Sequence, residues 1–481
     1  MSASAAMPTW LVGLALALWV VALRAPFLGA ELTDDPFYIQ VGDLWRHGHL
    51  PYVAIFDVKP PGYFLLATLS ETMFGPTLAA LRAIDVAFDA AAALGIYWLG
   101  KRFLNRDIAL FAALLTPVLS LLTVRNSAYP PLDALAVLAF CAAFSKLRPF
   151  ARALVTGLLI GAAFAVKLTA AFEGPLLFWL LLNHERSTSQ RTKVGAAFIV
   201  AAGAPALAFA VYFAAEGAFS PLWDDAFIGA LLRAGGAEDV TFAHGFLRYF
   251  SIQRSMGFVF LLAAASFVRR PRIRAAFPDF PVTIFQGWFA LTGLTILLQR
   301  SLGEQYCGPT LPAALLLTGA VVATAPQTVA GFKPQAALLA VGAASILLAF
   351  ALRGGALGVR QADQADAGAL ALIEASAPRP GDALYVVNRG LLLNTLTGLP
   401  EPTIYQLSSH TLCSFPTGGP ERITAAFAKA PRYAVIADRT NHYFCERPDA
   451  WAIVDEEIQA HYRRLGHSGD EHDSYDVYER R

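Results

Sequence analysis

The sequence predicts an all-α polytopic membrane protein with a small C-terminal α/β domain. Of its 481 residues, 56% are hydrophobic and only 15% are charged, and the mean hydropathy is +0.49. Long Ala/Leu-rich apolar runs alternate with short basic clusters as far as residue 352, and the chain then takes on the composition of a soluble domain. Hydrocarbon cannot hydrogen-bond the backbone, so the apolar runs are predicted to be helices. The net charge of +1 gives no indication of nucleic-acid binding.

The basic clusters predict the topology. Cytoplasmic loops of membrane proteins carry an excess of Lys and Arg, and four such clusters occur at 101–106, 146–152, 184–193 and 269–274. The run at 11–28 lacks a basic region before it and a cleavage site after it, so it is predicted to be a retained first span. Counting crossings between the clusters gives about eleven transmembrane helices, a cytoplasmic N-terminus and an external C-terminus.

Two successive cytoplasmic clusters must be joined by an even number of membrane crossings, and this rule also predicts local structure. The first outer loop, 29–78, has room for two amphipathic helices on the outer membrane surface. About 31 residues separate the clusters at 146–152 and 184–193, which is too few for two full spans. A short helical hairpin with its turn at 167–173 is therefore expected. The predicted domains are a transmembrane module at 1–352 and an extracytoplasmic domain at 353–481.

Four segments give the last domain its predicted secondary structure. The segments at 383–388 and 432–438 are typical of strands, and those at 423–430 and 455–465 are typical of helices. Cys413 and Cys445 both fall in this external domain, where oxidation is permitted. A disulfide between them and two unrelated thiols are both compatible with the sequence.

The first outer loop carries the strongest candidate active-site residues. Asp34 and Asp35 follow the first span directly, and in a partly desolvated cavity two adjacent carboxylates raise the pKa of at least one of them toward the range of a general base. The alternative is that Asp34 caps the helix in which Pro36 occupies the first turn. Both can hold together.

A second cluster in the same loop contains Asp57, Lys59, Pro60 and Pro61. The two prolines stiffen the backbone, and an ammonium held at the membrane surface suits a lipid phosphate. The alternative is an ordinary lysine whose apolar stem lies along the membrane and whose charge reaches water.

Charged residues beside aromatic residues and proline recur in two later outer loops. These groups are Arg125 with Asp133, and Arg300 with Glu304 and Tyr306. Each alone is compatible with a structural role, but all are predicted to lie on one face of the membrane. A divalent metal is also possible, because aspartate oxygens bind hard cations, and no metal is required by the sequence.

The residues from Asp34 to Phe64 resemble the first periplasmic loop of the polyprenyl-phosphate-sugar-dependent glycosyltransferases of C-type (GT-C) fold. This superfamily includes protein O-mannosyltransferases, the lipid A aminoarabinose transferase and the lipopolysaccharide-core galacturonosyltransferases. Its Asp-Glu pair and nearby Tyr correspond here to Asp34, Asp35 and Tyr38, with Asp in place of Glu. Its acidic residue and Lys-Pro element correspond to Asp57, Lys59 and Pro60. An Arg-Leu pair of the family is matched only in reversed order, by Leu81 and Arg82.

The resemblance continues into the later loops. Asp133 and Lys167 match an Asp before an apolar run and a Lys that ends a Gly-rich span. The family's late loop from Arg to Tyr-Pro is similar to the stretch from Arg300 to Tyr306, but Gln305 replaces a common His. That replacement argues against a histidine or metal role in this loop.

The resemblance implies the chemistry of the site. It implies a glycosyltransferase of the cell envelope in the bacterial inner membrane, which moves a sugar from polyprenyl phosphate to a hydroxyl of a glycan, lipid or protein with inversion. The implied roles are proton acceptance by the Asp34–Asp35 pair and donor phosphate binding by Lys59, Arg300 and Lys167. The supporting residues would be Tyr38, Asp57, Arg125, Asp133, Glu304 and Tyr306.

Two points stay open at the level of sequence. Acceptor binding is assigned to Trp223 and His244 in the outer loop at 216–254, although a membrane-interface tryptophan is the more common role for such a residue. A lipid-linked-sugar transporter and a noncatalytic binding subunit are the alternatives to an enzyme. Transporters often contain two related halves, and this sequence shows no internal repeat.

Overall fold

The computed structural model describes most of the chain. The described residues are 8–28, 34–123, 128–232, 257–298, 304–325, 362–387, 392–406, 419–437, 448–469 and 474–481. They form two compact units, each built from three separate stretches of sequence. Unit 1 comprises 1–28, 82–209 and 240–357, and unit 2 comprises 29–81, 210–239 and 358–481.

Sixteen α-helices of six or more residues are present in the described part of the chain. In the first 232 residues they are α1 (Thr9–Arg24), α2 (Asp35–Arg46), α3 (Gly62–Phe74), α4 (Leu78–Phe103), α5 (Arg106–Thr123), α6 (Tyr129–Ala143), α7 (Pro149–Val166), α8 (Gly174–Asn183) and α9 (Thr188–Ala215). They continue as α10 (Gly257–Ala276), α11 (Val282–Leu298), α12 (Leu311–Ala323), α13 (Ala362–Ala375), α14 (Leu392–Thr397), α15 (Gly419–Ala428) and α16 (Pro448–His461). A π-helix, Leu222–Gly229, follows α9.

Four helical segments among the described residues are long and apolar enough to cross a membrane. They are Thr9–Phe27, Pro149–Val166, Thr188–Ala215 and Tyr306–Ala323. The long, apolar helices confirm a membrane protein, whereas the count of eleven crossings stays a prediction. The predicted break in the fourth apolar region is present: α7 ends at Val166, a 3₁₀ turn occupies Leu168–Phe172, and α8 begins at Gly174.

Close helix packing in unit 1 depends on glycine. Gly157 and Gly161 lie four residues apart on α7, and a Cβ at Gly157 would approach the Phe198 carbonyl of α9 to 2.5 Å. A Cβ at Gly161 would meet the Ala202 carbonyl. Small residues at this spacing let two helix backbones approach in a bilayer, where van der Waals contact drives association.

The C-terminal part of unit 2 is a four-stranded sheet covered by helices. The strands are β1 (Leu384–Val387), β2 (Tyr433–Ala437), β3 (Tyr462–Gly469) and β4 (Ser474–Arg480), in the order β1-β2-β4-β3. β1 and β2 are parallel and β4 is antiparallel to both neighbours. One face packs on α13 and the other on α15 and α16, so β1 and β2 are buried throughout.

The two predicted strands and the helix at 423–430 are confirmed, but the predicted helix at 455–465 is wrong in its last part. α16 ends at His461 and Tyr462 begins β3. Tyr462 pairs with Arg480, its ring is buried, and its hydroxyl donates to the Pro431 carbonyl at 2.7 Å. Tertiary pairing with β4 therefore overrides the helical pattern of the sequence.

The helices predicted in the first outer loop are confirmed as α2 and α3, which pack against each other. The first eight residues of α2 are all buried, so unit 2 holds the segment after Asp34 inside protein. The position of the two helices on the outer membrane surface stays a prediction.

Candidate functional site

The predicted residues of the first outer loop converge around Lys59. The Lys59 ammonium lies 2.9 Å from Asp57 Oδ2 and 3.3 Å from Asp57 Oδ1, and 3.7 Å from Asp34 Oδ2. Asp57 is almost fully buried, and its Oδ1 also accepts the Val58 amide at 2.7 Å. Two carboxylates and one ammonium thus share a small space at the start of α2 and α3.

Aromatic rings enclose the same ammonium. Lys59 Nζ lies 5.4 Å from the centre of the Tyr38 ring and 5.7 Å from that of Phe37. Tyr38 is itself fixed by an edge-to-face contact with Tyr63 at 4.6 Å. Cation–π attraction is strongest where water is displaced, and the Lys59 side chain is only 13% exposed. This geometry does not fit a lysine that extends its charge into water.

The two adjacent aspartates differ in access. Asp34 keeps 24% of its side chain exposed, whereas Asp35 is fully buried as the first residue of α2. Asp34 occupies the N-cap position but makes no capping hydrogen bond with its side chain. Its carboxylate is instead directed toward Lys59. Of the pair, Asp34 is the more accessible carboxylate.

Tyr52 belongs to this cluster but was missed by sequence reasoning. Its backbone has a φ of 69°, an uncommon conformation for a non-glycine residue, in a turn where its amide donates to the Ile55 carbonyl at 2.8 Å. The Tyr52 hydroxyl donates to the Lys59 carbonyl at 2.7 Å. Burial, with the negative charges of Asp57 and Asp225, raises the pKa of the Tyr52 phenol, so it stays a donor. No local sequence pattern indicates this role.

Two further carboxyl groups of unit 2 have raised pKa values. Burial raises the pKa of Asp225 to about 7, and the charges of Asp224 and Asp57 add to the effect. Burial and Asp43 raise the pKa of Glu71 to about 9, against the opposing effect of Arg46. Asp225 belongs to the π-helix and Glu71 to α3. Neither raised pKa was predicted, because desolvation depends on tertiary packing rather than on neighbours in sequence.

Unit 1 contains a separate cluster around Lys167. This residue ends α7 in an extended conformation, and its ammonium lies 4.4 Å from the centre of the Tyr129 ring and 5.5 Å from that of Tyr306. The two tyrosines meet edge to face at 6.0 Å. Two residues predicted from distant loops, Lys167 and Tyr306, are thus brought together, and Tyr129 was missed.

Buried acids lie in the same region of unit 1. Asp133 is 8% exposed and interacts electrostatically with Lys167 and Glu173. A Cβ at Gly308 would lie 2.8 Å from Asp133 Oδ2, so the chain passes closely over this carboxylate. Glu173 accepts a hydrogen bond of 2.6 Å from the Trp288 indole, which stacks on Phe140 at 3.8 Å. Glu173 and Trp288 were not predicted as functional residues.

Several predicted site residues lie outside the described part of the structure. They are Arg125, His244, Arg300, Cys413 and Cys445, together with the side chain of Glu304. Their roles stay predictions. Arg82, the partner in the reversed pair with Leu81, forms an ion pair of 2.8 Å with Asp85.

The predicted acceptor residue Trp223 lies on the π-helix and is 48% exposed. Its indole stacks with the rings of Phe227 at 5.2 Å and Phe219 at 6.4 Å. An exposed aromatic series of this kind is also typical of a membrane interface. Sugar stacking on Trp223 stays a prediction.

No group of three or more His, Cys, Asp or Glu side chains that could hold a metal ion occurs among the described residues.

The family model for dolichyl-phosphate-mannose-protein mannosyltransferase matches residues 58–211, a stretch that includes Lys59, Asp133 and Lys167. No curated protein sequence matches the chain significantly.

Solved structures share the fold over nearly the whole chain. ArnT from Cupriavidus metallidurans in the apo state is 17% identical with a TM-score of 0.64, and the match covers 98% of this chain and 97% of ArnT. The same protein bound to undecaprenyl phosphate is 14% identical with a TM-score of 0.64, covering 98% of each chain. The archaeal oligosaccharyltransferase AglB from Archaeoglobus fulgidus, in complex with an inhibitory peptide and a dolichol-phosphate, is 12% identical with a TM-score of 0.51, covering 89% of this chain and 69% of AglB.

The fold is that of the membrane glycosyltransferases of GT-C type. The resemblance predicted from the first outer loop to the enzymes that use polyprenyl-phosphate sugars is thereby confirmed.

Proposed function

We propose that the protein is a membrane glycosyltransferase that moves a sugar from a polyprenyl phosphate to a hydroxyl group, with inversion at the anomeric carbon. The observation that carries the proposal is the pairing of an accessible carboxylate, Asp34, with the enclosed ammonium of Lys59 at 3.7 Å. A base and a phosphate-binding cation are the two groups that this transfer needs.

The reaction balances through these groups. Asp34 accepts the proton of the acceptor hydroxyl as its oxygen attacks the anomeric carbon, and the bond from that carbon to the phosphate oxygen breaks. Negative charge grows on the leaving polyprenyl phosphate, where a fixed cation stabilises it most effectively. Lys59 supplies that cation. Asp35 is buried behind the site and holds the start of α2, and Asp57 orients the Lys59 ammonium.

Lys167 and Arg300 are proposed as further ligands of the donor phosphate. Support for Lys167 comes from the two tyrosine rings that lie beside its ammonium. Support for Arg300 comes from the sequence resemblance alone.

The acceptor side and the location rest on resemblance and topology. We propose a glycan, lipid or protein hydroxyl of the cell envelope as acceptor, with Trp223 and His244 as contact residues. The proposed location is the outer face of the bacterial inner membrane, with about eleven crossings and a periplasmic C-terminal domain. The positions of the basic clusters support this orientation.

The test is release of free polyprenyl phosphate from a panel of polyprenyl-phosphate sugars in liposomes that contain the purified protein, with envelope extract as acceptor. A general base contributes about 10²- to 10⁴-fold to rate, so Asp34→Asn should lose at least about 100-fold while still binding undecaprenyl phosphate. Asp43→Asn is the matched control, because Asp43 lies on the same helix in a surface ion pair with Arg46.

Each other outcome selects an alternative. Wild-type protein that releases no phosphate from any donor, yet moves lipid-linked sugar across the liposome membrane, would replace the transferase by a transporter. Binding without either activity would indicate a noncatalytic subunit. Equal activity of wild type and Asp34→Asn would remove Asp34 as the base.

A further inference from the structure

The loop that carries Asp57 and Lys59 is attached to a segment of the C-terminal domain about 350 residues away in sequence. The Phe56 amide donates to the Ile404 carbonyl at 2.8 Å. The Phe56 ring, 4% exposed, lies 5.1 Å from the ring of Tyr405. Phe56 immediately precedes Asp57, so these contacts fix the backbone at the beginning of the Lys59 loop.

Arg422 covers the Tyr405 ring. Its guanidinium carbon lies 3.8 Å from the centre of that ring, close enough for full stacking. Arg422 belongs to the first part of α15. Two other residues of this helix, Ile423 and Phe427, are part of the core beneath the β-sheet. We call Phe56, Tyr405 and Arg422 the Tyr405 stack. It connects the core of the C-terminal domain to the Lys59 loop through side chains alone.

A second contact joins the C-terminal domain to α2, the helix next to Asp34. Helix α14 packs against α2, the helix that begins immediately after Asp34. The buried Asn394 of α14 donates to the carbonyls of Leu384 at 3.0 Å and Leu399 at 3.2 Å, which ties α14 to β1. The C-terminal domain therefore contacts both of the segments that bring Asp34 and Lys59 together.

The Lys59 loop is positioned by tertiary contacts rather than by a regular element. Residues 56–60 form no helix or strand hydrogen-bond pattern. Contacts that fix them include the Tyr52 hydroxyl bound to the Lys59 carbonyl, the Asp57 carboxylate bound to the Val58 amide, and the attachment at Phe56. A displacement of about 1 Å in a reacting group costs about 100-fold in rate, so a contact that fixes this backbone affects the position of Lys59.

We infer that Tyr405 and Arg422 are positioning residues for the donor phosphate, acting through Phe56 on Asp57 and Lys59. The C-terminal domain then contributes to donor binding. This inference rests on the proposed function for the role of Lys59.

The experiment compares Tyr405→Ala and Tyr405→Phe with the wild-type protein in liposomes. Tyr405→Ala should lower kcat/KM for the donor by about tenfold or more with the acceptor KM unchanged. Tyr405→Phe keeps the ring between Phe56 and Arg422, and should stay within about threefold of wild type. Direct binding of undecaprenyl phosphate should weaken in parallel for Tyr405→Ala.

Matched arginine variants control for simple destabilisation. Arg422→Lys replaces the stacked guanidinium and should reproduce the donor defect. Arg432→Lys makes the same change in the same domain, at a guanidinium that lies over Tyr433 and pairs with Asp382 and Glu479, and should leave donor kcat/KM unchanged. Unfolding midpoints of the two variants show whether their losses of stability are comparable.

The inference is overturned if donor kcat/KM is unchanged in Tyr405→Ala and Arg422→Lys, if the loss falls on the acceptor KM, or if Arg432→Lys shows the same donor defect. If Tyr405→Ala does not fold, the comparison of Arg422→Lys with Arg432→Lys decides whether the inference holds. Wild-type protein that binds undecaprenyl phosphate without transferring sugar would refute the proposed transferase. The binding measurements would still decide whether Tyr405 positions Lys59.

Discussion

The two units surround their candidate lysines in different ways. Lys59 of unit 2 is paired with the carboxylates of Asp57 and Asp34 and enclosed by two rings. Lys167 of unit 1 lies 4.4 Å from the centre of the Tyr129 ring and 5.5 Å from that of Tyr306, and it interacts electrostatically with the buried Asp133. The nearest ring centre is 5.4 Å from the Lys59 ammonium. Cation–π attraction therefore contributes more to the position of Lys167 than to that of Lys59.

Each unit also buries a glutamate, and these too differ. Glu173 in unit 1 accepts a hydrogen bond from Trp288. Glu71 in unit 2 is 1% exposed, and neither of its carboxyl oxygens has a hydrogen-bond partner among the described residues. A buried carboxylate without hydrogen-bond partners is costly, so burial favours the protonated form of Glu71.

The largest predicted effect is the pH dependence of stability due to Glu71. Its pKa is about 9 in the folded protein and near 4.5 in the unfolded chain. Between these values the folded state holds a proton that the unfolded state has lost, so stability falls as pH rises. From pH 5 to pH 8 the loss is about 4 kcal/mol at about 1.4 kcal/mol per unit.

Thermal unfolding of Glu71→Gln in detergent at several pH values checks this. The variant should lose the part of the pH dependence that comes from Glu71 and be more stable than wild type at pH 8. Identical pH profiles for the variant and wild type would show that Glu71 is ionised or exposed in the folded protein.

The next prediction compares the stability that is lost when each lysine is replaced by methionine. Lys59→Met leaves the buried Asp57 without its cation and should cost about 3 kcal/mol, the lower end for breaking a buried pair, because Lys59 retains some solvent contact. Lys167→Met loses cation–π contacts worth about 0.5–2 kcal/mol, together with its electrostatic interaction with Asp133. Unfolding midpoints of the two variants measure the difference.

The double variant Asp57→Leu/Lys59→Met is the control for this reading. Removing both charges should restore most of the stability lost in Lys59→Met without restoring donor binding. A larger destabilisation by Lys167→Met than by Lys59→Met would contradict the comparison.

A smaller effect tests the tyrosine enclosure of Lys167. Tyr129→Leu removes the closer ring face and should weaken binding of undecaprenyl phosphate by about threefold to tenfold, through looser positioning of the ammonium. The matched control is Tyr97→Leu, since Tyr97 also lies beside a lysine, Lys101, at 6.0 Å. Equal losses of undecaprenyl phosphate affinity in both variants would show that donor binding does not depend specifically on the Tyr129 ring.

The smallest predicted effect concerns Asp225. Its pKa of about 7 means that the carboxyl ionises as pH rises from 6 to 8, adding negative charge near Asp57. The donor KM of wild type should therefore rise by about twofold to threefold over this interval, as expected for charges that are partly screened by water. Asp225→Asn should reduce this rise; a donor KM that changes with pH equally in both proteins would exclude Asp225 as its source.

Individual segments show how far sequence reasoning reached. The break at Lys167 was predicted because cytoplasmic clusters on both sides left too little chain for two spans, and α7 ends there. The helix at 455–465 was wrong beyond His461, because pairing of Tyr462 with Arg480 cannot be read from a local pattern. Tyr52, Tyr129 and Glu71 were missed for the same reason, since their roles depend on partners in other segments or on burial.

The sequence by itself determined the membrane class, the C-type resemblance and the candidate residues Asp34, Asp57, Lys59 and Lys167. Hydrophobic periodicity, charge placement and short motifs are local properties, so they are readable along the chain. Only the tertiary structure decided which aspartate of the first pair is accessible, which rings enclose each lysine and how the C-terminal domain holds the Lys59 loop. Burial and long-range contacts create those properties, and they exist only once distant segments have packed together.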